Sequence, residues 1–353
     1  MAKGNSIDHS TDLVLDNVSF EDDAHVLIIS AASPRLIRTI AGRVATLDVF
    51  DLSHRALSAI SDEAQLTIQY GVFPSPEPIY DAAVMFVPKG RDLARAQIWS
   101  AHHALKPGGT LYIAGPTKGG AKSVLADAGV IFGNTNVLAY RKSHRVGMAT
   151  RTADGLTGFP ANWGADPTQP QQLTYDTPHG PLPVTAMPGV FSWQALDDGT
   201  HTLLENVDFS AFAGLRVLDV GCGAGVLGVL AAKHADHVTL IDDNLLAVRC
   251  TEATITQNNV DNAQVHAGDV YGPVEDQKFD VILSNPPFHK YFDVNTNTAA
   301  QIITKAPEML NPGGKLILVA NAFLPYKREM EPLFSTTREI IKTSRYVVLE
   351  GTV

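Results

Sequence analysis

The sequence predicts an α/β protein made of two tandem domains, each a mostly parallel sheet flanked by helices. Three observations predict it. Short β-branched and aliphatic runs alternate with helical stretches along the chain, the pattern of parallel α/β sheets. The 353 residues exceed what one hydrophobic core usually serves. A Pro-Gly-Gly turn signal ahead of a strand recurs in the same order in each half, at Pro107-Gly108-Gly109 and Pro312-Gly313-Gly314, which suggests an internal duplication.

The elements follow in order. The first half gives VLIIS (Val26 to Ser30), VATLDVFD, YDAAVMFVP and ALKPGGTLYIAG. A stretch rich in Gly, Pro, Asn and Thr, from Thr152 to Pro170, lacks periodicity and reads as a linker. QLTYDTPHGPLPVTAMPGVFS then reads as a hairpin. The second half gives RVLDVG, HVTLIDD, FDVILSNPP and MLNPGGKLILVA. The expected domains are therefore residues 1–151 and 171–353, joined by the linker 152–170.

Composition narrows the function classes. The net charge of -10 argues weakly against a general nucleic-acid binder. Its distribution is uneven: residues 1–150 hold 14 Lys and Arg against 14 Asp and Glu, and residues 151–353 hold 13 against 23. A polyanion would favour the first half, where Arg141, Lys142, His144 and Arg145 form one basic group and Lys118 with Lys122 another. The alternative for both groups is ordinary solvated surface. No apolar run approaches the ~20 residues of a membrane span, and the first residues lack a signal-peptide core. A cytoplasmic location follows as an expectation. The two cysteines, Cys222 and Cys250, have no metal-like spacing and are expected to be reduced. No metal is expected.

The sharpest cofactor signal is LDVGCGAGVLG, Leu218 to Gly228. A strand is expected to end at Val220 and a helix to begin near Val226. Gly221, Gly223 and Gly225 let the backbone turn tightly and approach a ligand, and the helix N-terminus offers free N–H groups. No G-K-[ST] follows, which excludes a P-loop. Counted from Gly223 through Gly225 and Gly228, the spacing also fits a dinucleotide fingerprint, so spacing alone leaves that open. Asp219 discriminates better. A carboxylate before the loop repels a pyrophosphate and suits a cofactor carrying positive charge, such as the amino group of S-adenosylmethionine. Asp242 and Asp243 follow the next strand, where an acid accepts from ribose hydroxyls. Asp269, with Val270 beside it, falls at the end of a third strand, where an adenine amino group can donate. Cys222 reads as a small residue that fits the loop, with no histidine nearby in sequence to activate it.

Asn285-Pro286-Pro287-Phe288 follows the fourth strand directly. Two prolines stop the strand and stiffen the loop. The Asn285 side chain and the Pro286 carbonyl then present two acceptors to one point, enough to hold both hydrogens of an NH2 group. Holding them aims the nitrogen lone pair at an electrophilic methyl carbon, and proximity supplies the rest. Phe288 can stack on a flipped planar base. His289 can contact a phosphate or help a proton leave, or have no role.

By these motifs, residues 171–353 resemble the small-domain class of ribosomal RNA methyltransferases that make N2-methylguanosine, the C and G types of bacteria. LDVGCGAGVLG, NPPFH, NPGGKLILVANAFLPY and PGVFSWQALDDGTHTLLE carry the resemblance. It implies tandem Rossmann-like class I methyltransferase domains, the catalytic one seven-stranded, with S-adenosylmethionine as cofactor and ribosomal RNA or a ribosomal subunit as partner. It implies that Asn285, Pro286 and Phe288 cradle the guanine amino group. Asp219, Gly221, Asp242 and Asp269 would line the cofactor, and Phe191 and Phe323 border the base. The tail beyond Asn321 reads as a family extension more than a fold requirement.

The family's N-terminal domain is a degenerate copy, and an alignment of the two halves supports that. Setting Val26-Leu27 against Val217-Leu218 puts Ile28 opposite Asp219, and Ser30, Ala32 and Pro34 opposite Gly221, Gly223 and Gly225. Setting Tyr80-Asp81 against Phe279-Asp280 puts Phe86 opposite Asn285. The first copy is expected to bind no cofactor and to serve RNA docking or stability. Asn-Pro-Pro-aromatic loops also serve adenine-N6 and protein glutamine methylation. A non-catalytic assembly factor is a third alternative, disfavoured by the intact second-half motifs.

Overall fold

The computed structural model describes residues 6–30, 33–60, 67–69, 73–153, 156, 158–287 and 298–353. The chain divides into two compact units, Met1–Gln169 and Pro170–Val353.

In the first unit the strands are β1 (His25–Ile29), β2 (Thr46–Phe50), β3 (Thr67–Gln69), β4 (Tyr80–Phe86), β5 (Leu105–Pro116), β6 (Asn136–Arg141) and β7 (His144–Thr150). They form one sheet in the order β3-β2-β1-β4-β5-β7-β6. The first five run parallel, and β7 runs antiparallel to both its neighbours. The helices Arg91–Ala104 and Ala121–Phe132 cover the sheet, burying Ile98, Trp99, Ile131 and Phe132 against Leu27, Met85 and Ile113.

The second unit opens with the hairpin β8 (Gln171–Thr177) and β9 (Gly180–Ala186). Then follow β10 (Arg216–Val220), β11 (His237–Asp242), β12 (Ala263–Ala267), β13 (Phe279–Ser284), β14 (Leu310–Asn321), β15 (Thr336–Lys342) and β16 (Tyr346–Thr352). Their order is β12-β11-β10-β13-β14-β16-β15, the first sheet's order strand for strand. Both sheets have the seven-stranded class I methyltransferase arrangement.

The correspondence extends to single residues. Val26 sits beside Ala82 in the first sheet, and Val217 beside Val281 in the second, which is the register the sequence alignment requires. Asp81 and Asp280 hold equivalent places. Each accepts the amide that opens its central strand, from His25 and Arg216, both at 2.9 Å. Each takes a second hydrogen bond on its other oxygen, Asp81 from Lys106 Nζ at 2.6 Å and Asp280 from Asn311 Nδ2 at 2.7 Å.

Three sequence expectations change. Pro-Gly-Gly lies inside β5 and β14 at an irregular first pairing, not ahead of a strand. Gly108 and Gly313 take φ of +86° and +78° there, a region that favours glycine. The tail beyond Asn321 is a fold requirement: it supplies β15 and β16, and β16 pairs with β14 along seven residues. Alternating burial in this tail is interrupted by a register shift between Glu339 and Ile341, which hides the period-2 signal. Part of the expected linker packs on the first unit, where Phe159 meets Trp99 and Trp163, and Arg95 lies 4.1 Å over the Trp163 ring.

Candidate active site

The site lies at the C-terminal ends of β10, β11 and β13. Strand β10 ends at Val220 and the helix Val226–Ala232 begins after the glycine loop. Gly221, Gly223 and Gly225 all take positive φ, +76°, +59° and +85°. A Cβ on Gly221 or Gly223 would meet no atom within 4 Å, so these two face open space on the ligand side. Gly228 has a different task. A Cβ there would lie 2.2 Å from Leu240 Cδ2, so its absence lets the helix approach β11 closely.

Asp219 is 1% exposed. Its Oδ2 accepts from Gly228 N at 2.9 Å, while its Oδ1 is buried with no partner. Burial pushes its carboxyl up to about 7, against the lowering pull of the Gly228 amide. Asp242, the last residue of β11, accepts from Gly223 N and Asn244 N, both at 2.8 Å. Burial raises it to about 6. Asp243 and Asp269 are half-buried at the ends of β11 and β12. Val270 is buried with φ +50°, an uncommon conformation for a β-branched residue. Cys222 is a buried thiol, and burial pushes its pKa well up, so it stays protonated.

The unpartnered Asp219 oxygen answers whether a cationic cofactor fits. A buried acceptor with a free lone pair costs about 1–3 kcal/mol, and more for a charged group. An ammonium group reaching it from the open glycine loop would relieve that cost and draw the proton off Asp219. Asp242 would hold ribose hydroxyls from its place beside the same loop.

Asn285 stands next to this loop because Ser284 pairs with Val220 and donates to its carbonyl at 2.8 Å. The Asn285 Nδ2 donates to Asp197 Oδ2 at 2.9 Å and to Thr200 Oγ1 at 2.8 Å. Both amide hydrogens are thus used, and Oδ1 is buried without a partner. Pro286 is buried and Pro287 exposed. Phe288 and His289 lie outside the described residues.

A cleft joins the glycine loop to Asn285, lined by Phe191, Asp197, Thr200, Gly221, Gly223, Leu227 and Asn285 among others. The segment carrying Phe191 is tied down at two points. Tyr175 donates to the Ser192 and Trp193 carbonyls at 3.1 and 2.8 Å, and Asn244 Nδ2 donates to the Gly189 carbonyl at 2.7 Å. Phe191 is 60% exposed and Phe323, just beyond β14, is 81% exposed. Solvent-facing aromatic rings of this size suit a planar ligand. Among the described residues no group of three or more His, Cys, Asp or Glu could hold a metal ion, and no helix is long and apolar enough to cross a membrane.

Sequence reasoning missed Asp197, Thr200, Tyr175, Asn244 and Thr251. Thr251 donates to the Gly223 carbonyl at 3.0 Å and so supports the glycine loop from below. The signal for Asp197 is its place before Gly-Thr and a helical run, which marks a helix N-cap. It caps the helix Asp198–Asn206 by accepting from Thr200 N.

Comparison with known proteins adds to this geometry. Residues 181–350 match the family model for the methyltransferase small domain, and residues 12–134 match its N-terminal domain. Ribosomal RNA small subunit methyltransferase C of Shewanella loihica is 30% identical over 348 residues, 97% of this chain and 98% of that protein. This chain belongs to the ribosomal RNA small subunit methyltransferase C family. The Yersinia enterocolitica member is 31% identical over 299 residues, 83% of this chain and 81% of its own length. The solved structure of a T. thermophilus 16S rRNA N2 methyltransferase of the same type, in complex with AdoMet and guanosine, superposes with a TM-score of 0.83. It is 25% identical and covers 98% of this chain and 91% of the other. The duplicated fold is thus that of the methyltransferase C family, and the chain is a methyltransferase that uses S-adenosylmethionine.

The first unit keeps the frame of this site and little of its chemistry. Ile28, fully buried, occupies the place of Asp219, and Phe86, 5% exposed, that of Asn285. Ser30 keeps the positive φ of Gly221, at +101°. Asp51 keeps the place of Asp242: each takes the amide two residues ahead, from Ser53 at 2.7 Å and Asn244 at 2.8 Å.

Proposed function

We propose that this protein transfers a methyl group to the exocyclic N2 amine of a guanine in 16S ribosomal RNA of the small subunit. The observation that carries this reading is the bare Oδ1 of Asn285. It is a buried acceptor, aimed by the complete use of its own amide hydrogens. Such a group needs a donor from outside, and an amine offers one. The named relatives act on small-subunit ribosomal RNA, and the T. thermophilus structure concerns guanosine 1207 of 16S RNA. The equivalent guanine is the proposed target.

When bound, S-adenosylmethionine supplies an electrophilic methyl group whose leaving sulfur departs as a neutral thioether. The chain's residues do the rest. Asp219 Oδ1 and Asp242 hold the cofactor's ammonium and ribose groups. Asn285 Oδ1 accepts one hydrogen of the guanine amine and the Pro286 carbonyl the other. This directs the nitrogen lone pair along the attack line and raises its electron density. The methylated nitrogen sheds an acidic proton, so no strong base is required. Phe191 and Phe323 form the rim of the base pocket, and Phe288, next in sequence after the clamp loop, would stack on the base.

The first unit is proposed to dock RNA. Ser143 O accepts from Thr117 N at 2.8 Å, which brings the two basic groups of the sequence together. Lys118, Lys122, Lys142 and Arg145 have no carboxylate within ion-pair distance among the described residues, and Arg145 lies 5.7 Å over the exposed Tyr140 ring. Arg141 pairs with Asp16 at 3.0 Å and contributes less. Cations beside an aromatic ring suit an RNA backbone.

Nucleoside mass spectrometry of small-subunit RNA, treated with the protein and methyl-labelled cofactor, tests the reading. Labelled N2-methylguanosine is expected. Labelled N6-methyladenosine, or label found only in protein, would sink it.

A further inference from the structure

Asn285 lines the cleft, and its buried carbonyl oxygen is the end left without a partner only because something holds its amide group in one of two nearly isosteric orientations. A primary amide rotated by half a turn fills the same volume with oxygen and nitrogen exchanged. In that orientation the cleft would receive an NH2 donor, which cannot accept from a substrate amine. The backbone of the Asn285-Pro286-Pro287 loop does not choose between the two. Its neighbours do.

We propose that Asp197 is the positioning residue that sets the Asn285 amide, with Thr200 as its second anchor, an inference that rests on the amine-clamp reading above. An ionised carboxylate only accepts, so Asp197 Oδ2 at 2.9 Å admits the Nδ2 of Asn285 and excludes Oδ1. The same carboxylate oxygen accepts from Thr200 N at 3.0 Å as the N-cap of the helix Asp198–Asn206. The cap fixes the carboxylate, and the carboxylate fixes the amide. Thr200 Oγ1 takes the other hydrogen at 2.8 Å, leaving no reason for the group to turn.

Gly199 makes the arrangement possible. A Cβ there would lie 2.9 Å from Asp197 Oδ2 and 3.3 Å from Tyr346 Cε1. A side chain would therefore push the carboxylate off the amide or the tyrosine off the helix. The run Asp197-Asp198-Gly199-Thr200 thus works as one unit: a cap that accepts, a residue without a side chain, and a hydroxyl that accepts. The anchor lies 88 residues before the group it orients.

The substitution Asp197→Ser separates this role from capping. Serine caps a helix about as well as aspartate, but its shorter side chain, holding the Thr200 amide, does not reach Asn285 Nδ2. The expected result is a kcat about ten- to hundredfold lower, the range for a hydrogen bond to a charged group. Cofactor affinity and the KM for RNA should stay within about twofold. Thr200→Val should show a smaller loss of the same kind.

The conservative variant supplies a readout that a merely structural role would not move. In Asp197→Asn the Thr200 amide holds an oxygen at the same place, and that oxygen still accepts from Asn285 Nδ2. Asp197→Asn should therefore keep its kcat within about threefold of the parent, while Asp197→Ser loses it with the KM for RNA unchanged. An Asp197→Ser kcat within twofold of the parent, or an equal loss in Asp197→Ser and Asp197→Asn, would overturn the proposal. Asn285→Ala distinguishes the two levels. If it transfers as fast as the parent, the clamp reading falls and this inference with it. If it fails to transfer while Asp197→Ser is unimpaired, the orienting role alone falls.

Discussion

Ile28 stands in the first sheet where Asp219 stands in the second. Ile28 pairs across its sheet with Val49 and Val84, and Asp219 with Leu240 and Leu283 at the matching register. One position is closed by an apolar side chain and the other opened by a carboxylate with a bare oxygen. The full chain should therefore bind one cofactor and not two. Calorimetry should return a stoichiometry near one, and Asp219→Ala should weaken that site roughly ten- to hundredfold without exposing another. A second site surviving in the variant would contradict the reading of the first unit.

The raised Asp219 carboxyl gives a pH dependence with a definite sign. Its value near 7 means the free protein holds a proton there that an ammonium group must displace. Cofactor affinity should then fall as pH drops, about tenfold from pH 8 to pH 6. Stability of the ligand-free protein moves the other way. The folded state binds this proton between about pH 4 and 7 and the unfolded state does not, so the Asp219 contribution to stability declines as pH rises through that window. Melting curves of the parent and Asp219→Asn at pH 8 and 5.5 check this. The parent's deficit relative to the variant should shrink at the lower pH, and a constant difference would refute it.

Phe191 and Phe323 are expected to act on RNA and not on cofactor. Replacing either by alanine should raise the KM for RNA, with about 1–3 kcal/mol lost if the ring stacks on a base. Cofactor affinity should be unchanged. Titration of both ligands against each variant separates the outcomes, and a loss confined to cofactor binding would reassign the residue.

The cations gathered by the Thr117–Ser143 hydrogen bond should show in the salt dependence. Replacing Lys118, Lys142 and Arg145 by glutamine should weaken RNA binding and reduce the slope of log affinity against log salt by about 0.7–0.9 for each phosphate no longer neutralised. Replacing Arg38, Arg43 and Arg55 by glutamine instead makes the same change in net charge on other segments of the first unit. Equal effects from the two sets would remove the case for a docking surface.

Much of this was legible in the sequence, for physical reasons that particular residues illustrate. Strands such as β1, with Val26, Leu27, Ile28 and Ile29 all buried, lie in the middle of a parallel sheet, so both their faces are apolar and the run stands out. The glycines at 221, 223 and 225 are dictated by backbone angles that few other residues adopt, so they are visible locally. Edge and antiparallel strands were harder. Strand β12 is half-exposed with mixed burial, and β15 is broken by its register shift. Asp197, Thr200 and Thr251 reach the site by folding alone, each from a helix whose local pattern concerns only that helix. The Asp81 and Asp280 pair marks the duplication more firmly than Pro-Gly-Gly does, yet reads in sequence as two ordinary acids.

The most direct test of the amine clamp is methyl transfer by Asn285→Ala under single-turnover conditions, with cofactor affinity measured on the same preparation. Transfer to small-subunit RNA is expected to fall by at least about a hundredfold, as the removal of an acceptor preorganised for the reacting group requires, while cofactor affinity stays within a few-fold of the parent. Transfer at the parental rate, with cofactor bound, would contradict the clamp.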